Sequence, residues 1–447
     1  MAPLTRSRAA AEAPTLLDAL ARAPAAAVLV FAALGEADRR ALRLVHTQLR
    51  DAVGEATTTL HIPLYDSATA AARPPTPRRW PRLEKLTVFI PNLPALEALG
   101  AETWDGLRSL RIERPIISCA RFDAPSARAL AAALRRMPAL RALELRYVDL
   151  PDAAAEELFR PGSAEDVPQL RALTLHYADL ASVAARALAA TGWRLEELDL
   201  YSSRDLAAAG VSALLAAPTF ALRRLNLGNC GLDAAALLSV ANAPWPLEEL
   251  NLRSNDFSAA ASGPALVALS RHAGLRRLNL SNCSLSAAGV KALLEAAWPA
   301  LASLAAEARP GGPHLDGPHA LGAAAFAGLP ALEELDLDGV KLGAAGAALF
   351  ASRRWARLRR LSLPDCRLGD AGLAALARGE FPALERLVAS GNRLGAPLEL
   401  EDARRWAPTL LELDADVGAS ASEHELDLED LDLESGSDDD SESGGDW

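Results

Sequence analysis

Two sets of residues are of types that could do chemistry. His314-Leu-Asp316-Gly-Pro-His319 brings two imidazoles and a carboxylate close together, the donor types of a zinc site. The stretch lacks the i, i+4 histidine pair of a helical metal site and has no obvious fourth ligand, so it reads as a loop. The four cysteines, Cys119, Cys230, Cys283 and Cys366, could supply thiolate nucleophiles or metal ligands. No glycine-rich loop follows a strand and opens a helix to hold phosphate, and no nucleophile motif occurs. The reading is of a chain that is not an enzyme and takes no cofactor.

The elements around these residues repeat. Leu275-Arg-Arg-Leu278-Asn-Leu280-Ser-Asn-Cys283-Ser-Leu285 sets a frame that Leu222, Leu225, Leu227, Cys230 and Leu232 match, as do Leu358, Leu361, Leu363, Cys366 and Leu368. Asn255 and Asn392 replace the cysteine in two further copies, and looser copies open at Leu83, Leu107, Leu140, Leu170, Leu195, Leu301, Leu332 and Leu410. Successive openings lie 24 to 33 residues apart. Such a period is the mark of a repeat array rather than of independent domains. L-x-x-L-x-L predicts a short strand with its leucines inward. The Cys or Asn after it stands where the chain turns away and can satisfy backbone groups of a neighbouring turn. Stretches such as Ser286 to Ala297 predict helices. Gly289, Gly346 and Gly372 recur fourteen residues after a first leucine, where no side chain is expected to fit between helix and sheet.

These units resemble ribonuclease-inhibitor-type and cysteine-containing leucine-rich repeats over residues 83–417. The resemblance implies an α/β horseshoe solenoid, with parallel strands on the concave face and helices on the convex one. Ser303 to Gly317, with Pro310-Gly-Gly-Pro313, departs from the pattern and is expected to loop out. Trp80, Trp104, Trp298, Trp355, Met137 and Phe381 stand three residues before a first leucine, so they are expected to be packing residues at the helix-to-strand corner. Cys230 and Cys283 stand two repeats apart, roughly 9–10 Å across strands. That exceeds the ~7 Å limit of a disulfide, so buried, reduced thiols are expected.

Charge locates the ends. The chain of 447 residues has a formal charge of −12, yet its last twenty-eight residues hold twelve acids and no Lys or Arg. The remainder has 46 acids against 46 bases, a neutral body that argues against nucleic acid as partner. No run of about 18 apolar residues predicts a membrane span. A cytoplasmic or nuclear protein is expected. Residues 418–447 read as a disordered acidic tail that contributes no packing, and residues 1–13 as a disordered N-terminus.

Residues 14–60 read as a small all-α cap and residues 61–82, with Arg73-Pro-Pro-Thr-Pro-Arg-Arg79, as a linker. Within the cap, Val30-Phe31-Ala-Ala-Leu34-x-x-x-Asp38, then Val45 and Leu49, resembles an F-box. Leu49 stands at that family's Trp position, Arg39 replaces an expected Leu, and Pro24 falls one position late. The resemblance implies that Val30, Phe31, Leu34, Val45 and Leu49 meet the Skp adaptor of a cullin ubiquitin ligase.

On the sheet, Glu196-Glu197, Arg223-Arg224, Glu248-Glu249, Arg276-Arg277, Glu333-Glu334 and Arg359-Arg360 alternate in sign from repeat to repeat, predicting an intramolecular ladder of ion pairs. Tyr147, Tyr177 and Tyr201 follow consecutive strands, with Arg146, His176 and Arg114 near them. Aromatic and arginine side chains dominate interface hot spots, so this rim of the concave face is the expected site of a protein partner. Three functions fit: a ubiquitin-ligase substrate receptor, a plain interaction scaffold, and a Ran GTPase-activating-protein-like regulator with an acidic tail. The third family favours Asn at the turn position, here found only at Asn255 and Asn392.

Overall fold

A computed structural model describes residues 58–62, 77–78, 80–89, 93–113, 122–309, 311–315, 319–395 and 398–415. Fourteen strands lie side by side in chain order: β1 Thr59–Ile62, β2 Lys85–Phe89, β3 Ser109–Glu113, β4 Ala142–Arg146, β5 Ala172–His176, β6 Glu197–Asp199, β7 Arg224–Asn226, β8 Glu249–Asn251, β9 Arg277–Asn279, β10 Ser303–Ala305, β11 Glu334–Asp336, β12 Arg360–Ser362, β13 Arg386–Val388 and β14 Glu412–Asp414. The sheet is open and every neighbouring pair is parallel. The connections carry helices α1 Leu93–Leu99, α2 Ala124–Leu134, α3 Asp152–Leu158, α4 Ser182–Ala190, α5 Ala207–Leu215, α6 Ala234–Ala241, α7 Ser262–Leu269, α8 Ala287–Glu295, α9 Gly343–Ala351, α10 Gly369–Leu376 and α11 Leu400–Ala403. This is a leucine-rich-repeat α/β solenoid, as the repeat frame requires.

The second leucine of each frame explains the register. Leu60, Leu86, Leu110, Leu143, Leu173, Leu198, Leu225, Leu250, Leu278, Leu304, Leu335, Leu361, Leu387 and Leu413 form an unbroken column across the sheet. A slip by one residue in any strand would turn that leucine toward solvent, so the apolar period alone fixes the pairing.

Three expectations change. The sheet begins at Thr59, inside the span assigned to the helical cap and the linker, because Leu60 lies in register with Leu86. Thr57 holds the place of the opening leucine there, which hid the repeat. Second, the recurrent glycines do not face the sheet. A Cβ on Gly372 would meet Leu368 Cβ at 2.9 Å and the α9 backbone at Ala344 Cα at 3.4 Å; one on Gly346 would meet Leu342 Cδ1 at 2.5 Å. The space denied lies along the packed helices and the leucine four residues back. At Gly289 a methyl group has room, its closest contact being Ser286 Oγ at 3.4 Å. Third, β10 itself is intact, and the irregularity lies after it. Among the described residues no α-helix joins β10 to β11, and His314 bridges to Lys341 instead.

Three of the corner tryptophans are packing residues with a second task. Trp104, Trp298 and Trp355 are buried, and their indole N–H groups donate to Leu99 O, Leu293 O and Phe350 O at 2.9–3.0 Å. Each acceptor lies five residues earlier, at or near the end of α1, α8 or α9, where helix carbonyls lack an internal partner.

Candidate functional site

The side of the sheet away from the helices carries every second strand residue. Three layers of interaction order it. The ion-pair ladder forms: Arg224 pairs with Glu197, Arg223 with Glu248, Arg277 with Glu249 at 2.9 Å, and Arg360 with Glu334 at 2.9 Å. It extends to Arg386–Glu412 at 3.2 Å, and Ser303 fills the gap by donating to Glu334 at 3.2 Å. A shallow groove of about 460 Å³ crosses this face from β5 to β10.

Beneath it, the turn residues clamp repeat to repeat. Cys230, Cys283 and Cys366 donate Sγ–H to Leu200 O, Leu252 O and Leu337 O of the preceding strands at 3.0–3.1 Å. Asn255 and Asn392 reach the same carbonyl position, at Leu227 and Leu363, at 2.7–2.8 Å. Asn255 Oδ1 also accepts from the N–H groups of Cys230 and Leu232. The thiols are free and buried, and burial pushes Cys230 and Cys283 up to about 12 and Cys366 well above its ordinary range. Groups held protonated in this way are structural donors, not nucleophiles.

The third layer is the rim. After every strand from β4 to β13 except β10, the residue seven beyond the frame's opening leucine adopts left-handed backbone: Ser202, Asn229, Ser254, Asn282, Gly339, Asp365 and Gly391 fill this slot, and so do Tyr147 (φ 56°) and Tyr177 (φ 52°). Small polar residues and glycine tolerate that region, whereas a bulky side chain there is strained. The two rings stack, with centroids 5.0 Å apart and planes 13° from parallel. Tyr201 meets Tyr177 edge-on at 5.6 Å and His176 at 5.8 Å. Gly228 makes room for it, since a Cβ there would lie 2.9 Å from the Tyr201 ring.

Charged partners hold the row below. Arg146 follows the β3 and β4 register beside Glu113, and its Nε lies 3.6 Å from Glu144, whose carboxylate already accepts from Arg111 at 2.7 Å. His176 Nε2 lies 2.8 Å from Asp199 Oδ2, and Asp199 Oδ1 accepts from the Tyr201 N–H at 3.0 Å. Just outside the cluster, burial and then the neighbouring Asp149 and Asp205 raise the Asp179 carboxyl above its usual range.

The structure thus brings Arg146, Tyr147, His176, Tyr177 and Tyr201 together. Arg114 lies outside the described residues, as do Val30, Phe31, Leu34, Val45, Leu49, Cys119, Asp316 and the acidic tail. Glu144, Asp199 and Gly228 complete the site and were missed in the sequence, because each looks like an ordinary strand or turn residue until neighbouring repeats are laid side by side. His314 Nδ1 sits 3.1 Å from Arg367 Nη1, a cationic neighbour ill suited to a metal site. Among the described residues no three potential ligands converge, and no helix is long and apolar enough to cross a membrane.

The family described as Leucine Rich repeat matches residues 275–294 and 358–377, two of the regular repeats. No curated protein sequence matches the chain. Among solved structures, a chain in the crystal structure of the yeast Rad7 and Elc1 complex is similar, with 16% identity, a TM-score of 0.41, and coverage of 89% of this chain and 94% of that one.

Proposed function

We propose that this leucine-rich-repeat chain is a non-enzymatic scaffold that holds a protein partner on the free face of its sheet, at the tyrosine rim. The observation that carries the reading is the pair Tyr147 and Tyr177 in the left-handed slot. In the other described repeats where this slot is left-handed, it holds a small polar residue or glycine. The leucine core asks for no aromatic at this position, so strain placed there points to use. The ion-pair ladder is neutralised within the protein and leaves little field to attract a ligand. The rim instead offers aromatic area with polar tips beside Arg146 and His176.

The test compares the full chain with Tyr147→Ala/Tyr177→Ala/Tyr201→Ala. Proteins retained by the parent are identified by quantitative mass spectrometry, and their affinities for both chains are then measured. Binding should weaken by at least about 2 kcal/mol with little change in melting temperature. A variant that unfolds while binding per folded molecule survives would make the tyrosines packing residues.

The finer reading is a substrate receptor of a cullin ubiquitin ligase, working in the cytoplasm or nucleus. It rests on the F-box-like register of Val30, Phe31, Leu34, Val45 and Leu49. Phe31→Ala/Leu34→Ala in the full chain should abolish adaptor capture and leave the repeats folded. If the unmutated chain captures no adaptor at micromolar concentration, the scaffold reading stands alone.

A further inference from the structure

The carboxyl end of the sheet is unfinished in the same sense that each internal strand would be if the next repeat were removed. Along the sheet, Glu333 O accepts from Arg359 and Arg360, Arg359 O from Glu385 and Arg386, and Glu385 O from Leu411 and Glu412. Leu411 O is the next acceptor in that series, and no strand follows β14 among the described residues. The core is uncovered at the same place. Leu335, Leu361 and Leu387 of the leucine column are fully buried, whereas Leu413 is half-buried and Leu411 is 67% exposed. An open strand edge beside an uncovered core leucine invites pairing with another chain, which native folds prevent by covering it.

The chain beyond Ala415 contains the frame that would cover it. Leu428-Glu-Asp-Leu431-Asp-Leu433 repeats, with one Glu changed to Asp, Leu195-Glu-Glu-Leu198-Asp-Leu200 and Leu332-Glu-Glu-Leu335-Asp-Leu337, both of which form strands of this sheet. Twelve residues, 416–427, separate Ala415 from Leu428. A parallel return needs about a dozen residues, and such a length reaches roughly 40 Å when extended, enough to come back along a short strand.

We propose that Leu428–Leu433 docks on β14 as a fifteenth parallel strand, setting Leu431 against Leu413 and closing the end of the solenoid with this chain's own tail. Glu429 and Asp430 donate their N–H groups to Leu411 O, and Asp430 falls beside Glu412, Asp432 beside Asp414. Those pairs are acid against acid, so the strand adds no ion pair and its leucines drive the docking. Added salt therefore strengthens it. The acidic segment is then a terminal cap followed by a shorter free end, not one uniform tail.

Glu412→Cys/Asp430→Cys tests the register in the full chain with Cys119 replaced by Ser. Neighbouring parallel strands place these Cα atoms about 4.8 Å apart, inside the disulfide range. Mild oxidation should link the pair within one molecule at least tenfold faster than Glu412→Cys/Ser437→Cys, and Leu431→Asp should erase the difference. Hydrogen exchange on the unmodified protein reads the same contact without substitution: the Asp430 and Asp432 amides, which face β14 in this register, should be at least tenfold slower than those of Ser437–Asp440. Deleting residues 420–447 should lower the melting temperature and speed exchange at Leu413. Equal rates for the two cysteine pairs, unprotected Asp430 and Asp432, or links formed only between two copies would each overturn the assignment. The last would give the β14 edge to a second molecule, and protection of Asp430 without the 412–430 link would place the segment elsewhere, as on the Arg-rich residues 73–79.

Discussion

The early and late repeats close the same turn by different means. From β7 onward, most turn positions carry a side chain that clamps the preceding strand: Cys230, Asn255, Cys283, Cys366 and Asn392. In the repeats of β4 and β5 the equivalent residues are Val148 and Ala178, buried and unable to donate. There the apolar core and backbone hydrogen bonds to the next repeat, such as Tyr147 N–H to His176 O and Leu150 N–H to Ala178 O, hold the turn without a side-chain clamp. Those same repeats have five-residue strands and carry tyrosine in the left-handed slot. The lesson is a division of labour along one sheet. The late repeats add inward clamps beneath their outward ion-pair ladder, and the early ones leave the turn apolar and carry the aromatic rim.

The largest break in that comparison comes from Asn392, which is fully buried. Its Nδ2 donates to Leu363 O and Ala389 O, and its Oδ1 accepts from the Leu368 N–H at 3.1 Å. Asn392→Ala strips these buried groups of their partner and should cost about 3 kcal/mol, seen as a lowered urea midpoint. Cys366→Ala at the equivalent turn removes one weak donor and should cost about 1–2 kcal/mol. Equal losses would mean that the turn position matters only by its volume.

Glycine positions sharpen the packing side. Gly372→Leu drives a side chain into Leu368 and Ala344 and should cost about 1–3 kcal/mol. Gly289→Ala finds room and gains helix propensity, so it should be neutral or stabilising by up to about 1 kcal/mol. Thermal unfolding of the two variants checks the contrast, and a large loss at Gly289→Ala would refute it.

The thiol clamps also predict a pH limit confined to the late repeats. Cys230 and Cys283 are held up to about 12 by burial, against 9.0 for an ordinary thiol. Above pH 9 the unfolded chain ionises these thiols and the folded chain does not, so stability falls between about pH 9 and 12 and is unaffected by them below. Each group contributes a slope of up to about 1.4 kcal/mol per pH unit. Cys230→Ala/Cys283→Ala should flatten that alkaline slope in denaturant titrations, and an unchanged slope would show that the thiols ionise in place.

Much of this architecture was legible in the sequence, because the leucine column repeats the same physical demand in each strand. Legibility failed where a demand was met by an unusual residue. Thr57 in place of an opening leucine hid β1, and the glycine series looked uniform although only some members are crowded by neighbouring helices. Tyr147 and Tyr177 were visible as a cluster, but their meaning depends on backbone φ, which spacing does not report. Gly228 is part of the site only because the ring of Tyr201, one repeat away, lies over it.

The smallest effect separates order from strength in the charge ladder. Arg224 and Glu197 stand in adjacent strands with side chains 49% and 42% exposed. At such exposure, solvent screens the pair and the cost of fixing two long side chains offsets most of the attraction, leaving about 0.2–1 kcal/mol. A double-mutant cycle with Arg224→Ala and Glu197→Ala should return a coupling in that range that fades as salt is raised. Arg224→Glu should cost more than Arg224→Ala, because it faces Glu197 on one side and Glu249 on the other with like charge. If the coupling instead exceeded about 2 kcal/mol and ignored salt, the ladder would rank with the Cys and Asn clamps as a structural element. The free face would then be a rigid polar surface, and the contrast between inward clamps and outward ladder would lose its basis.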